Sequence, residues 1–332
     1  MAIPIHLNQI KPTMKIRKIK KIFPNAAHIT NRVRGYGILT LGLNLVLSGS
    51  VIKAVNAQIV PDGTLPQNSA ITREGNIQRI TGGTQAGSNL FHSFREFSLP
   101  TGETAWFDNA TTINNIITRV TGYNISQIDG IIKANGNASL FLINPNGIVF
   151  GPNASLNIGG SFIGSTANSI KFADGIDYSA INPETPPLLT ISVPVGLQFG
   201  GNPHSPGEIQ VMGVGHSLRM PTNAIYARIE GAGNNNTGLA VIPGQTLALV
   251  GGPITFEGGV VTASGGRVEL GSVGIGEVSL TPLPLGWRLG YEGVQEFRDI
   301  ALTNRAAADA SGTGSGSISV RGNNITLNDG SA

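Results

Sequence analysis

The sequence predicts an all-β protein in which many short strands are joined by very short turns, and three observations lead to this prediction. The 332 residues are 40% apolar, which suffices for a hydrophobic core and is too much for a disordered chain. After residue 58, no stretch keeps the 3.6-residue periodicity of a helix over helical lengths. Short apolar segments recur instead, separated by turns rich in Gly, of which there are 46 in the chain, and in Asn and Pro.

The amino-terminal segment, residues 1–57, is predicted to be an extended signal peptide. Nine of the 22 lysines and arginines precede Ala57, and no acidic residue does. The apolar run at residues 38–51 is shorter than the roughly 20 residues that a membrane-spanning helix needs, and small residues follow it. We expect cleavage between Ala57 and Gln58 and export of the remainder. The long basic approach leaves two alternatives open, a start of translation at Met14 or a leader of an extended type.

The remainder, residues 58–332, has a composition that excludes several classes of protein. It carries 13 basic and 19 acidic groups, so it lacks the cationic surplus that binds nucleic acid. The absence of cysteine excludes disulfides, thiol nucleophiles and cysteine zinc sites. No later apolar stretch is long enough to span a membrane, and no phosphate-binding GxxxxGK[ST] motif occurs. We therefore expect no cofactor, no metal and no stable membrane span.

The first half of this remainder contains five predicted strands of about five residues each. The turns between them have at most four residues, so no helical crossover fits between consecutive strands. Two architectures remain possible at this point, a sandwich of hairpins or a parallel β-helix. The predicted strands are residues 130–134, 139–143, 147–151, 155–159 and 161–165.

The second half favours the parallel β-helix. Glycine pairs recur every seven residues, at 251–252, 258–259 and 265–266, and corners with positive φ are the expected reason because glycine adopts them at least cost. Asparagines at such corners can bond to their equivalents in neighbouring coils. With about 20 residues per coil, the chain would form roughly a dozen coils, and fewer if loops protrude. The predicted strands are residues 239–242, 246–250, 254–256, 260–262 and 267–270.

One stretch, at about residues 174–236, departs from this pattern. It is rich in proline and contains a longer apolar segment at residues 188–193. We expect a protruding β-hairpin region laid against the side of the coil, within a domain that spans residues 58–332. The alternative is a loosely ordered linker, although alternating apolar residues at 225–229 favour structure.

The segment Asn144, Pro145, Asn146, Gly147 and Ile148 is the most distinctive motif of the chain. Proline fixes φ near −65° at the second position of a turn, and the Asn-Gly pair tolerates left-handed geometry. A tight corner between two apolar strands is therefore predicted. The motif can serve only this corner, or it can also contact a partner, and the residues alone leave both possibilities open.

Four segments carry a resemblance to a known family. The chain resembles the filamentous haemagglutinin N-terminal domain, which is the secretion domain of two-partner secretion (TPS) exoproteins. It is most similar to the branch found in high-molecular-weight adhesins, over about residues 58–272. The Asn-Pro-Asn-Gly-Ile motif of the family is matched at every position, whereas its Asn-Pro-Asn-Leu motif is absent. The four segments are FHSFREF at 91–97, NIITRVTG at 115–122, SQIDGII at 126–132 and LINPNGIVFG at 142–151.

The resemblance implies a fold, a route and a set of partners. The implied fold is a right-handed parallel β-helix with an extra-helical β-hairpin region. The implied route is export to the periplasm by the Sec machinery, followed by recognition of the extended chain by the periplasmic modules of an outer-membrane barrel of the Omp85 type. Folding would follow outside the cell, at the surface or in the medium, as the amino-terminal part of an adhesin-like or haemagglutinin-like protein. The residues from Asn144 to Ile148 would be the secretion motif that the transporter binds.

An extracellular β-helical enzyme acting on polysaccharides, or a stand-alone surface-binding protein, is the alternative. Asp174 and Asp177 form the nearest acidic pair, but such a pair in a loop is more often a solvated turn. The histidines after residue 58 are His92, His204 and His216, and they lack the spacing of metal ligands. No Gly-x-Ser-x-Gly elbow occurs. We therefore expect a protein without catalytic residues.

Overall fold

The computed structural model describes residues 58–184, 187–200, 205–219, 238–314 and 316–332. Within these ranges the chain forms 27 strands and no helix, which confirms the all-β prediction. The strands in chain order are Ile59–Pro61 (β1), Ser69–Glu74 (β2), Ile77–Gly82 (β3), Thr84–Ala86 (β4), Asn89–Phe97 (β5), Thr104–Phe107 (β6), Asn115–Val120 (β7), Ser126–Ile128 (β8), Ile131–Ala134 (β9), Ser139–Ile143 (β10), Ile148–Phe150 (β11), Ser155–Asn157 (β12), Phe162–Ser165 (β13), Ser169–Phe172 (β14), Asp177–Ser179 (β15), Pro194–Phe199 (β16), Ile209–Met212 (β17), Leu239–Val241 (β18), Thr246–Gly251 (β19), Ile254–Glu257 (β20), Val260–Ala263 (β21), Arg267–Pro282 (β22), Trp287–Phe297 (β23), Ile300–Thr303 (β24), Ala307–Asp309 (β25), Ser317–Arg321 (β26) and Ile325–Leu327 (β27).

Most of these strands form three parallel faces, and the chain visits the faces in a fixed order. Face 1 contains β5, β7, β10, β13, β19, β22 and β26. Face 2 contains β8, β11, β17, β20, β24 and β27. Face 3 contains β3, β6, β9 and β12, followed by β18, β21 and β25. The chain passes repeatedly from face 1 to face 2 to face 3, so the fold is a parallel β-helix, as predicted.

The coils are slightly longer than 20 residues. Asn89 and Asn115 occupy equivalent positions 26 residues apart, and their side chains are joined by a hydrogen bond of 2.9 Å. Ser139 and Ser161 are equivalent and 22 residues apart. Asn109 also links two coils, because its side-chain Nδ2 donates to the Asn135 carbonyl and its Oδ1 accepts the Asn135 amide. These bonds confirm that polar corner residues join one coil to the next.

Two hydrophobic cores explain why β10, in the middle of face 1, is almost continuously apolar. In β10, Leu140 and Leu142 lie in the core inside the β-helix. The alternate residues Phe141 and Ile143 lie in a second core outside it. A strand that is buried on both sides has no polar side to present, so its sequence is an uninterrupted apolar run rather than an alternation.

The second core is covered by an antiparallel sheet that lies against face 1. Its strands run in the order β15, β14, β16, the second half of β22, and β23. Phe172, Phe199 and Trp287 are among the buried side chains that this sheet contributes. The Trp287 ring packs edge-on against Phe141 of face 1 with the ring centroids 5.2 Å apart. Two of its strands, β15 and β16, lie in the predicted extra-helical region.

The boundaries of the extra-helical region differ from the predicted 174–236. The departure begins earlier, at β14, and β17 at Ile209–Met212 belongs to face 2 of the coil. A second departure, the β22–β23 hairpin, had no counterpart in the sequence analysis. Residues 220–237, which include the alternating segment at 225–229, lie outside the described residues, as does the predicted signal peptide at 1–57.

The glycine pairs have two physical reasons rather than one. Positive φ occurs at Gly258 and Gly265, as expected, but not at the second member of any pair. At those second positions a neighbouring coil lies too close for a side chain. A Cβ on Gly259 would lie 2.4 Å from the carbonyl oxygen of Val211, and a Cβ on Gly266 would lie 2.1 Å from that of Gln245.

Candidate functional site

The motif beginning at Asn144 forms the corner between β10 on face 1 and β11 on face 2. The Gly147 amide donates to the Asn144 carbonyl at 3.1 Å, which closes a four-residue turn. Asn at the first position, Pro at the second and Gly at the fourth are the preferences of a type I turn. Gly147 has a φ of 132°, whereas Asn146 is not among the residues with positive φ. The expected unusual backbone geometry therefore falls on Gly147 alone.

The side chain of Asn144 is fully buried and bonded to the preceding coil. Its Nδ2 donates to the Asn124 carbonyl and to Ser126 Oγ, both at 3.0 Å. Its Oδ1 accepts the amide of Asn146 at 3.0 Å, which braces the turn from inside. Both polar atoms of this buried carboxamide are thus satisfied within the chain.

The side chain of Asn146 makes a second link to the same coil. Its Nδ2 donates to the Gly122 carbonyl at 2.7 Å and to Asn144 Oδ1 at 3.0 Å. Because an amide nitrogen carries two donors, both are used. The two asparagines of the motif therefore attach the corner to the coil before it.

The backbone of the motif is bonded to the coil that follows. Gly207 N donates to the Pro145 carbonyl at 2.9 Å, and Ile148 N donates to the Glu208 carbonyl at 3.0 Å. A Cβ on Gly207 would lie 2.2 Å from the carbonyl carbon of Asn146, so the two chain segments are in closest contact there. The corner is consequently enclosed between two coils, and Ile148 is fully buried in the interior core.

Comparison with known proteins identifies the family. The TPS secretion domain family matches residues 57–320, which is most of the chain. This chain belongs to the TPS secretion domain family. No curated protein matches it. Among solved structures, the secretion domain of HMW1 from Haemophilus influenzae is similar, with a TM-score of 0.47 and 17% identity, over 83% of this chain and 72% of that one.

Family membership makes this protein a module of a two-partner secretion exoprotein. A TPS domain implies recognition by an outer-membrane two-partner transporter and indicates a secreted protein. The family is one of secretion domains and not of enzymes. In the part of the chain that the structure describes, there is no helix long and apolar enough to cross a membrane.

A second polar cluster of the TPS domain centres on Arg119, which the sequence analysis did not single out. Arg119 is 1% exposed. Its Nε donates to Ser93 Oγ at 2.8 Å, Nη1 to the Ser179 carbonyl at 2.6 Å, and Nη2 to Thr64 Oγ1 at 2.9 Å. The guanidinium carbon lies 4.2 Å from the centroid of the Tyr178 ring. Arg119 thus joins face 1 to the extra-helical sheet and to the segment after β1.

Asp62 provides the negative charge of this cluster without contacting Arg119 directly. Its Oδ2 accepts Ser93 Oγ at 2.5 Å and Thr121 Oγ1 at 2.8 Å, and its Oδ1 accepts Thr64 Oγ1 at 2.9 Å. Burial acts to raise the pKa of Asp62, but the hydrogen bonds from Ser93, Thr64 and Thr121 outweigh it and hold the pKa below its ordinary value. Ser93 and Thr64 connect the two charges, since each contacts both.

The residues that sequence analysis considered for catalysis lie apart from one another. Asp174 accepts a hydrogen bond from Thr190 in the turn between β14 and β15, and Asp177 accepts Ser169 Oγ at 3.4 Å. His92 is buried against Ser69 Oγ at 2.9 Å, whereas His216 contacts the Gly330 carbonyl at 2.8 Å. His204 lies outside the described residues. Within the described ranges, no group of three or more His, Asp or Glu side chains could hold a metal ion.

Proposed function

We propose that this TPS domain is the amino-terminal secretion module of an adhesin-like or haemagglutinin-like exoprotein. Its leader directs it through the Sec machinery, with cleavage between Ala57 and Gln58. The periplasmic modules of an outer-membrane barrel then recognise the extended chain, which folds into the β-helix outside the cell. Amino-terminal sequencing of the secreted protein tests the first part of this route, since a mature chain must begin at Gln58.

The burial of the Asn144 corner is the observation that best supports recognition before folding. In the folded domain a partner cannot reach Asn144, whose polar atoms are all bonded to Asn124, Ser126 and Asn146. The motif therefore serves the transporter only while the chain is extended, or acts through the corner that it forms. We propose that it acts through the corner, because the Asn144 carboxamide, the side-chain nitrogen of Asn146 and the backbone amides of the corner are all hydrogen-bonded within the chain.

Once folding begins outside the cell, the free energy gained as coils form favours outward movement of the chain through the transporter. Each interior Leu, Ile or Val contributes about 1.5 to 3 kcal/mol on burial, before the loss of conformational entropy. A new coil finds a template of unpaired strand edges in the coil before it, as in the parallel register of β10 on β7. Each coil that closes outside thus opposes return of the chain, and the absence of cysteine leaves no disulfide to obstruct threading.

The test compares Asn144→Ala with Asn153→Ala when the chain is produced together with its transporter. Asn153 is an exposed corner asparagine that bonds to Asp129, so it matches Asn144 in chemistry but not in burial. We expect Asn144→Ala to reduce the amount in the medium and to slow refolding of the purified chain from urea. Binding of the unfolded variant to the isolated periplasmic modules should be unchanged. Normal refolding together with lost binding would overturn the proposed folding role.

Dispersal of the acidic side chains supports a function without catalysis. The Asp62 carboxylate accepts a hydrogen bond from Ser93 in the cluster around Arg119, and the Asp174 carboxylate accepts one from Thr190. The corner carboxylates Asp129 and Asp299 are each occupied by asparagines of the next coil. Among the described residues, no group of three or more acidic side chains could hold the calcium that a β-helical polysaccharide lyase would require.

A further inference from the structure

The Asn146–Gly147 peptide combines a reactive sequence with close packing and hydrogen bonding against the neighbouring coils. An asparagine followed by glycine is chemically labile, because the glycine amide carries no neighbouring Cβ to hinder its approach to the asparagine side chain. The chain places this sequence in the corner between β10 and β11. We propose that Asn146 is a spontaneous deamidation site whose reactivity is switched off by closure of the corner.

The reaction requires only the chain and water. The backbone nitrogen of Gly147 attacks Cγ of Asn146, its proton passes to solvent, and ammonia leaves. The cyclic imide that results is opened by water at either carbonyl, which gives aspartate or isoaspartate. An amide is exchanged for an acid, with no oxidation or reduction.

Three features of the folded corner oppose this reaction. The attacking nitrogen is engaged, because the Gly147 amide donates to the Asn144 carbonyl at 3.1 Å. The attacked carboxamide is held in place by its bonds to the Gly122 carbonyl and to Asn144 Oδ1. The following coil packs directly on the peptide at Gly207, where even a Cβ would lie 2.2 Å from Asn146. Ring closure would have to break or displace all of these contacts.

The product would be incompatible with the same corner. An aspartate at position 146 has no donor for the Gly122 carbonyl and brings a carboxylate against Asn144 Oδ1, which is also an acceptor. Isoaspartate would in addition lengthen the backbone inside a closed turn. A chain that stays unfolded too long therefore loses the ability to form the corner, whereas a chain that folds keeps Asn146 intact.

The test uses the purified full chain without any transporter, so its outcome is independent of the proposed function. Samples are incubated in mildly alkaline buffer with and without urea, and the peptide containing Asn146 is followed by mass spectrometry. We expect conversion in urea and retention of the amide in the folded sample. Asn146→Gln, which cyclises far more slowly, should abolish the conversion at this position. Equal rates with and without urea would overturn the proposal.

Two further measurements separate the corner from general unfolding. Gly207→Ala should open the corner and accelerate conversion in native buffer. Gly75→Ala strains the left-handed turn between β2 and β3, where nothing lies within 4 Å of a Cβ, and should not accelerate it. If Gly207→Ala does not fold, the test uses wild-type protein that has been incubated in urea and is then refolded. Converted chains should then be depleted from the native fraction and enriched in the aggregate. Equal shares of converted chains in both fractions would contradict the proposal.

Discussion

At the scale of single residues, polar groups are placed where they join layers that the chain brings together from distant positions. Arg119 contacts residues 26, 55 and 60 positions away. The segment that contains Arg119 carries part of the resemblance, but the role of Arg119 was not predictable, because an arginine within a strand is ordinarily solvated. Only the extra-helical sheet, which covers the outer side of face 1, makes it a buried residue.

We predict that Arg119→Met lowers the free energy of unfolding by about 1 to 3 kcal/mol, because it removes the donor that Ser93 Oγ, Thr64 Oγ1 and the Ser179 carbonyl share. Arg73→Met is the matched control. Arg73 pairs with Glu103 on the exposed surface, where an ion pair contributes about 0 to 1 kcal/mol. Urea unfolding of the two variants measures the difference. Equal effects would show that the Arg119 cluster does not hold the layers together.

A second residue-scale prediction concerns pH and His92. Burial lowers the pKa of His92 to about 3, whereas an unfolded histidine binds its proton near pH 6.5. The unfolded chain therefore binds more protons between these values, so stability is complete above about pH 6.5. It should fall by about 1.4 kcal/mol per pH unit as the pH decreases toward 3.

The measurement is urea unfolding of the wild type and of His92→Gln across this range. The variant should lack the decrease between pH 6.5 and about 4, whatever its absolute stability. Asp62 contributes in a different window. Because its folded pKa is lowered, its stabilisation is present above about pH 4 and is lost as the pH falls further. Identical slopes in both proteins above pH 4 would rule out the assignment to His92.

At the scale of elements, the strands between bounded turns were predictable and the long hairpin was not. The apolar run at 139–143 is β10 with the same limits, since glycine and asparagine turns flank it. In β22 only residues 267–270 were predicted, whereas the strand continues to Pro282. Val278 and Leu280 are buried and alternate with more exposed neighbours. This alternation of apolar and polar residues could have predicted the continuation of β22. Glycines instead indicated corners at which short strands end.

The element-scale prediction compares Leu142→Asp with Tyr123→Asp. Leu142 is 1% exposed in the interior core, whereas Tyr123 is 93% exposed. An unpaired carboxylate inside the coil would oppose closure of β10 on β7. In cells that also produce the transporter, we expect Leu142→Asp to accumulate inside and Tyr123→Asp to reach the medium like the wild type. Secretion of Leu142→Asp at the normal rate would contradict the proposal that folding of the coil drives passage of the chain through the transporter.

At the scale of the whole molecule, the parallel coil could be predicted but its two cores could not. Short strands and glycine corners indicated a coil, and the proline-rich stretch indicated a region laid against its side. Neither indicated that this region would cover a second core on face 1. The coil is built from contacts between successive turns, so each part depends mainly on the part before it. Such a molecule can be assembled progressively from one end, and this is compatible with the proposed passage of the chain in an extended form.

The most direct measurement of this account uses the absence of native cysteine. A single cysteine at Leu142 reports whether the interior is closed, and one at Tyr123 serves as the accessible control. A thiol reagent is applied to chains held in the periplasm without the transporter and to chains collected from the medium. The account predicts labelling of Leu142→Cys in the periplasm and protection in the medium, with Tyr123→Cys labelled in both. Protection of Leu142→Cys already in the periplasm would contradict it.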